Sequence, residues 1–274
     1  MSAAALLELQ DISLSFKGVR AISDISFAVA EGEICALIGP NGAGKSSLLN
    51  VINGVYQPQQ GLIRFAGREC RAMRPHDAAL GGIARTFQNI ALFKGMSVLD
   101  NVLTGRNLKR RAGWLEQALR LGRAPGEDDR QREAAEQVLA FLRIQPWRDA
   151  IVGRLPYGLQ KRVELARALA AEPELILCDE ITSALDTVVA AAILDLLKEL
   201  QRELNLSYMF ISHDLSTVEA ICDEVLVMLK GRVVEALPAA RMSTEAAHPY
   251  SRLLIGSIPQ LDTGWLKGLE QDPA

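Results

Sequence analysis

Gly39-Pro40-Asn41-Gly42-Ala43-Gly44-Lys45-Ser46 has the spacing G-x-x-x-x-G-K-[ST] of a phosphate-binding P-loop. Glycines at such spacing let backbone N–H groups close on phosphate oxygens with no Cβ in the way. Lys45 would bring a positive charge to the terminal phosphates, and the Ser46 hydroxyl suits Mg²⁺. Phosphate chemistry on a nucleotide also needs a metal carboxylate and a group that orients water. Asp179 and Glu180 fit those two needs, because they follow the apolar run Leu175-Ile176-Leu177-Cys178. Asp179 would hold Mg²⁺, and Glu180, one residue on, would polarise the attacking water. His213 also ends an apolar run and could donate to a γ-phosphate. Gln88 closes the short run Ile83 to Phe87, as either a turn residue or a ligand to a metal or a water. Phe16 is either a core aromatic or a ring for adenine to stack on.

These residues need elements to hold them. Ile34 to Ile38 reads as a buried strand leading into the P-loop, and Ser47 to Ile52 as the helix leaving it. A helix there aims the positive end of its dipole at the bound anion. A glycine-rich turn that binds nothing would not need that strand and helix. Leu6 to Phe16 and Ile22 to Ala30 alternate at period two and read as antiparallel strands. Pro58 to Gly61 reads as a turn and Leu62 to Ala66 as a strand; Ile83 to Phe87 reads as an edge strand.

From Ser97 to Trp147 the pattern turns helical. Ser97-x-x-Asp100 is an N-terminal capping pattern, and Ala135, Val138, Leu139 and Leu142 form one apolar stripe. The charge runs Lys109 to Arg111 and Gly126 to Arg130 read as a solvated face and a solvent loop. A helix is expected over Gly158 to Ala171, then another over Thr187 to Leu204 with Ile193, Leu197, Leu200 and Leu204 on one face. Strands Ser207 to Ile211, Glu224 to Leu229 and Arg232 to Glu235 complete an alternation that implies a parallel sheet wrapped by helices.

Bulk properties limit the choices. The 274 residues carry a formal net charge of −3, which gives no general pull toward nucleic acid. No apolar run approaches the about 18 residues of a membrane span, and the N-terminus has no signal-peptide pattern. Cys35, Cys70, Cys178 and Cys222 are scattered without a C-x-x-C pair, so reduced thiols and a cytosolic setting are expected.

Taken together and in order, these landmarks resemble the ATP-binding cassette (ABC) ATPases, the nucleotide-binding subunits of transporters. The resemblance runs from Leu6 to about Pro259. It implies an α/β fold: a P-loop NTPase with a RecA-like core, an antiparallel β subdomain and an inserted helical subdomain. Residues 1–236 would be the ATPase domain, with the helical subdomain at about 89–157, and 237–274 a C-terminal appendage. Phe16 matches the aromatic that stacks on adenine, and Gly39 to Ser46 with Ser47 the nucleotide-binding loop. Gln88 matches the glutamine that couples Mg²⁺ to the permease. Asp179 matches the metal carboxylate, Glu180 the catalytic base, Ser183 to Asp186 the dimer-interface loop and His213 the switch histidine. Leu155-Pro156-Tyr157-Gly158-Leu159-Gln160 stands where the family has Leu-Ser-Gly-Gly-Gln. Pro156, Tyr157 and Leu159 depart from that signature; Gly158 keeps it and would face ATP on a partner chain. Ile181 stands where proline is usual.

The resemblance implies ATP and Mg²⁺ as cofactors and a second cassette chain as partner. It also implies membrane permease subunits, an indirect solute-binding protein, no nucleic-acid partner, and a place at the cytoplasmic face of the inner membrane. Repair members of the family would need long coiled coils, translation members a second P-loop, and a GTP switch an Asn-Lys-x-Asp. None of these occurs here. Ala84 to Ile90, Met96 to Val102 and Leu155 to Gly158 resemble branched-chain amino-acid uptake ATPases. Cys178 to Asp186, Phe210 to Ser216 and His248-Pro249-Tyr250 instead resemble dipeptide and oligopeptide uptake ATPases. Contact surfaces set specificity, so the permease-facing part near Gln88 leads us to expect branched-chain amino acids as the solute.

Overall fold

The structure, a computed structural model, describes residues 5–71, 73–86, 90–109, 124–180 and 185–257. The chain opens with β1 (Ala5–Phe16), β2 (Val19–Ala30) and β3 (Ile34–Ile38), then helix α1 (Lys45–Ile52). Next come β4 (Gln60–Phe65), β5 (Arg68–Glu69), α2 (Pro75–Gly81) and β6 (Ile83–Thr86). A helical stretch follows, with α3 (Val98–Gly105), α4 (Ala124–Phe141) and α5 (Tyr157–Ala170). The alternation resumes with β7 (Leu175–Asp179), α6 (Thr187–Leu204), β8 (Ser207–Ile211), α7 (Leu215–Ile221), β9 (Glu224–Leu229) and β10 (Arg232–Pro238). Last come α8 (Met242–Glu245) and α9 (Pro249–Gly256).

Two sheets form. One is antiparallel, in the order β2-β1-β4-β5. The other has the order β10-β9-β3-β8-β7-β6 and is parallel except for the β9–β10 hairpin. β3 shows why its apolar run is continuous. Ile34, Ala36 and Ile38 join the core on the helical side, while Cys35 and Leu37 join the core shared with the antiparallel sheet. A parallel strand buried on both faces has no polar side to show. Each such side chain of Val or Leu size contributes about 1.5–3 kcal/mol by leaving water. β7 and β8 are buried at every position for the same reason.

Local signals place the helices. The Ser97 hydroxyl accepts a hydrogen bond from the Asp100 N–H at 3.1 Å and caps α3. Asp186 caps α6 by accepting from the Val189 N–H at 2.9 Å. Ala135, Leu139 and Leu142 are buried as the stripe requires.

Two expectations are corrected. The run Gly126 to Arg130 is not a loop but the first turns of α4, with Glu127 buried. Acidic residues suit a helix N-terminus, where they meet the dipole's positive end. On α6 the expected apolar face is buried as far as Leu200, and Leu204, the helix's last residue, lines the same cavity as Leu200 while 58% exposed. The chain turns away there through Asn205, whose φ is 51°. The turn expected at Pro58 to Gly61 is cut short, since β4 pairs with β1 from Gln60.

Four cysteines are present and none is bridged. Ala239, Met242 and Ser251, from the segment after β10, are buried. The chain at Ala91 is gripped from α5 on both backbone groups. Its N–H donates to the Glu164 carboxylate at 3.3 Å, and its carbonyl accepts from the Arg167 guanidinium at 2.5 Å.

Candidate active site

Parallel strands bring their C-terminal ends to one edge of a sheet, and ligands of open α/β sheets bind there. β3 ends at the P-loop, β7 at Asp179-Glu180, and β8 just before Ser212-His213. β3, β8 and β7 are neighbours, in that order. Residues 39, 180 and 213 therefore meet although the chain separates them widely.

The P-loop is held from behind by the β9–β10 hairpin and the start of β2. Gly39 has φ 146°, and a Cβ there would stand 2.2 Å from the Met228 carbonyl oxygen. Gly44 has φ 102°, and its Cβ would stand 2.5 Å from the Ala21 carbonyl oxygen. The Gly231 N–H donates to the Ala43 carbonyl at 2.9 Å and ties the loop to the hairpin turn. Lys45 opens α1 and is buried. Its ammonium donates to the carbonyls of Gly39 at 2.6 Å and Pro40 at 3.0 Å. Burial lowers the Lys45 pKa below the ordinary lysine value, and the charges of Glu180 and Asp179 oppose that effect. A cavity of 290 Å³ opens at the loop, lined by Asn41, Gly42, Gly44, Lys45, Ser46 and Glu180, with Ala21 and Ser47 at its wall.

Asp179 and Glu180 diverge. Asp179 is 8% exposed, and its Oδ2 accepts from the Arg85 guanidinium at 3.2 Å. Glu180 has φ 49°, and its N–H donates to the Ile211 carbonyl at 3.2 Å. That left-handed turn sends its side chain to His213, whose Nε2 lies 2.6 Å from Glu180 Oε1. Asp214 caps α7 by accepting from the Ser216 N–H at 3.1 Å, which fixes the backbone beside His213. Glu180 also lines a second cavity of 250 Å³ with His213, Ser212 and Thr217. One carboxylate thus borders both the phosphate loop and the histidine.

Other expected site residues lie elsewhere. Phe16 does not line the P-loop cavity. It is 42% exposed and meets the Tyr56 ring edge-on, with centroids 4.9 Å apart. Gly158 lies in the first turn of α5, where an added Cβ would stand 2.7 Å from Val189 Cγ1. Gln88, Ile181, Ser183 and Ala184 lie outside the described residues. Arg85 and Asn50 were missed as site residues. The signal was an arginine in the middle of a short strand whose end is buried. A larger cavity of 360 Å³, lined by Arg106, Val138, Phe141, Leu169, Leu200 and Leu204, is mostly apolar and holds none of the phosphate-site residues.

The donor set suits Mg²⁺. That ion takes oxygen ligands from one or two carboxylates plus phosphate, rather than from a protein cage. Asp179 offers one such carboxylate and Ser46 a hydroxyl oxygen, and among the described residues no three His, Cys, Asp or Glu cluster as a cage would need.

A model of the family described as "ABC transporter" matches residues 22–183, more than half the chain. The chain belongs to the ABC transporter family. Among curated ABC relatives, the branched-chain amino acid transport ATP-binding protein BraF of Pseudomonas aeruginosa is 32% identical over 229 residues, 82% of this chain and 89% of BraF. The ribose import ATP-binding protein RbsA 2 of Burkholderia cenocepacia is 33% identical over 251 residues, 92% of this chain. The chain spans about half of that relative, 47% of its length. The crystal structure of the ADP conformation of MJ1267, an ATP-binding cassette of an ABC transporter, aligns with a TM-score of 0.79 at 27% identity. That alignment covers 93% of this chain and 100% of MJ1267. The α/β cassette fold expected from the sequence, with its antiparallel sheet, is therefore that of ABC proteins of known structure.

Proposed function

We propose that this chain is the ATP-binding and ATP-hydrolysing subunit of an ABC importer. The observation that carries the reading is Glu180, which borders the P-loop cavity and contacts His213 at 2.6 Å. Gly39 to Ser46 and Ser47 bind the ATP phosphates, and Lys45 leaves its two loop carbonyls to meet them. Ser46, Asp179 and Gln88 would hold Mg²⁺, which when bound supplies positive charge to the phosphate oxygens. Glu180 takes a proton from the attacking water, and His213 holds Glu180 in place for that task. Phe16 stacks on adenine. Gly158 completes the site of a second cassette chain across a dimer, which would be a homodimer or a heterodimer.

The partners are membrane permease subunits, contacted by the helical subdomain at about 89–157, and indirectly a solute-binding protein. Residues 1–236 are the ATPase domain and 237–274 an appendage. Among the described residues no helix is long and apolar enough to cross a membrane, so attachment would be through the permease at its cytoplasmic face. For the solute we propose branched-chain amino acids, on the kinship with BraF and on the residues near Gln88. Ribose is the competitor named by RbsA 2, and peptides the one suggested by the C-terminal half.

The test has two stages. Lys45→Ala should weaken ATP binding about 10- to 100-fold, the cost of a hydrogen-bonded charge lost from the phosphates. ATP turnover at the wild-type rate in that variant would remove the assigned site. Reconstitution with each permease type then reads the solute. ATPase stimulation only by a ribose or peptide permease would sink the branched-chain proposal and leave the ATPase standing.

A further inference from the structure

Arg85 lies on β6, the edge strand of the parallel sheet, three residues before Gln88. It pairs with Leu177 of β7 across the ladder. Its side chain is 7% exposed, and the guanidinium forks between two elements. One nitrogen, Nη1, donates to Asn50 Oδ1 at 2.5 Å, and the other, Nη2, donates to Asp179 Oδ2 at 3.2 Å. Asn50 belongs to α1, the helix that begins with Lys45 and Ser46. The Asn50 carbonyl in turn accepts from the N–H groups of Val55 and Tyr56.

We propose that Arg85 is a positioning residue for the metal side of the nucleotide site. It fixes the plane of the Asp179 carboxylate and the distance of that carboxylate from the P-loop helix. This rests on the proposed ATPase reading. A carboxylate presented to a hydrated cation works only in a fixed orientation, and a hydrogen-bonded partner behind it supplies that orientation. Asp179 has two oxygens. Arg85 holds Oδ2, so the direction of Oδ1 is set as well. The same planar fork holds Asn50, so α1 and β7 cannot shift apart without breaking one of its bonds. Only arginine can do this. A lysine ammonium keeps the charge but has no rigid fork to bridge two acceptors on different elements.

The test uses Arg85→Lys and Asn50→Ala in the full chain. A fluorescent ATP analogue is bound first in EDTA, and magnesium chloride is then titrated in. Thermal unfolding without nucleotide is measured alongside. The expected result is metal-free affinity within twofold of wild type, with about tenfold more Mg²⁺ needed to tighten binding. A residue that merely supports the fold would lower the melting temperature and both affinities together. Should Arg85→Lys fail to fold, Asn50→Ala decides alone. Unchanged Mg²⁺ dependence in the folded variants overturns the proposal. Asp179→Asn separates the two levels. If it abolishes the Mg²⁺ effect while the Arg85 and Asn50 variants keep it, only this inference fails. If the wild type binds no analogue at all, the ATPase reading fails.

Discussion

Glu33 stands just before β3, at the end of the sheet opposite the P-loop. Its Oε2 accepts the Ala30 N–H at 2.5 Å. Burial, with the nearby acids Glu224 and Asp223, pushes its carboxyl pKa up from 4.5 to about 7, against the Ala30 hydrogen bond. The folded chain therefore holds this proton more tightly than the unfolded chain. Its stability is highest below the unfolded value of 4.5 and falls as pH rises from 4.5 through about 7. At about 1.4 kcal/mol per tenfold change in proton affinity, the ceiling is on the order of 3 kcal/mol. Glu33 is only half-buried, so solvent screening reduces this to about 1–2 kcal/mol. Glu33→Gln removes the titration and keeps an acceptor for Ala30. The variant should melt about 2–6 °C above wild type at about pH 8, a gap that closes toward about pH 4. Differential scanning fluorimetry across that range reads it. A gap that is constant with pH, or larger in acid, would refute the reasoning. ATP binding should not change, because the substitution lies at the far end of β3.

Two further substitutions probe the site. Glu180→Gln keeps shape but not basicity, so ATP should bind while turnover falls at least about 100-fold. Dimers should then accumulate in Mg-ATP by sedimentation, and a monomeric variant with normal turnover would remove Glu180 from catalysis. Gly158→Ala would place its Cβ 2.7 Å from a stiff, β-branched valine, Val189. That should cost about 1–3 kcal/mol of stability in the single chain, with its ATP binding kept. An unchanged melting temperature would show that the contact yields.

Much of the fold was legible because its signals are local. The P-loop spacing fixes strand, loop and helix within a few residues, and apolar runs ending in Asp179 and His213 marked the strand ends. Ser97 and Asp100 announced α3 through a cap that spans only three positions. The missed parts needed neighbours the sequence does not show. Arg85 gained meaning only when β6 was laid beside β7, and Asn50 only when α1 was folded back over both. β5 is two exposed charged residues, with no periodicity to read. α2 did leave a trace. Pro75 begins it and Asp77 closes a capping box on Arg74, a pattern that could have been read. The Phe16 alternatives turned on exposure, which spacing does not report. Outside the core, Phe16 packs on Tyr56, forty residues away.

The grip on Ala91 has a mechanical consequence. The chain is inextensible, so five residues reach at most about 18 Å. The end of β6 at Thr86, beside the strand that ends in Asp179, is thus leashed to α5 by a tether of that length, for as long as Glu164 and Arg167 keep hold of the Ala91 backbone. A swing of α5 that exceeds the slack must pull on the end of β6 or tear two hydrogen bonds. Motion of the helix and motion at the phosphate edge are then one displacement, transmitted through tension in the backbone.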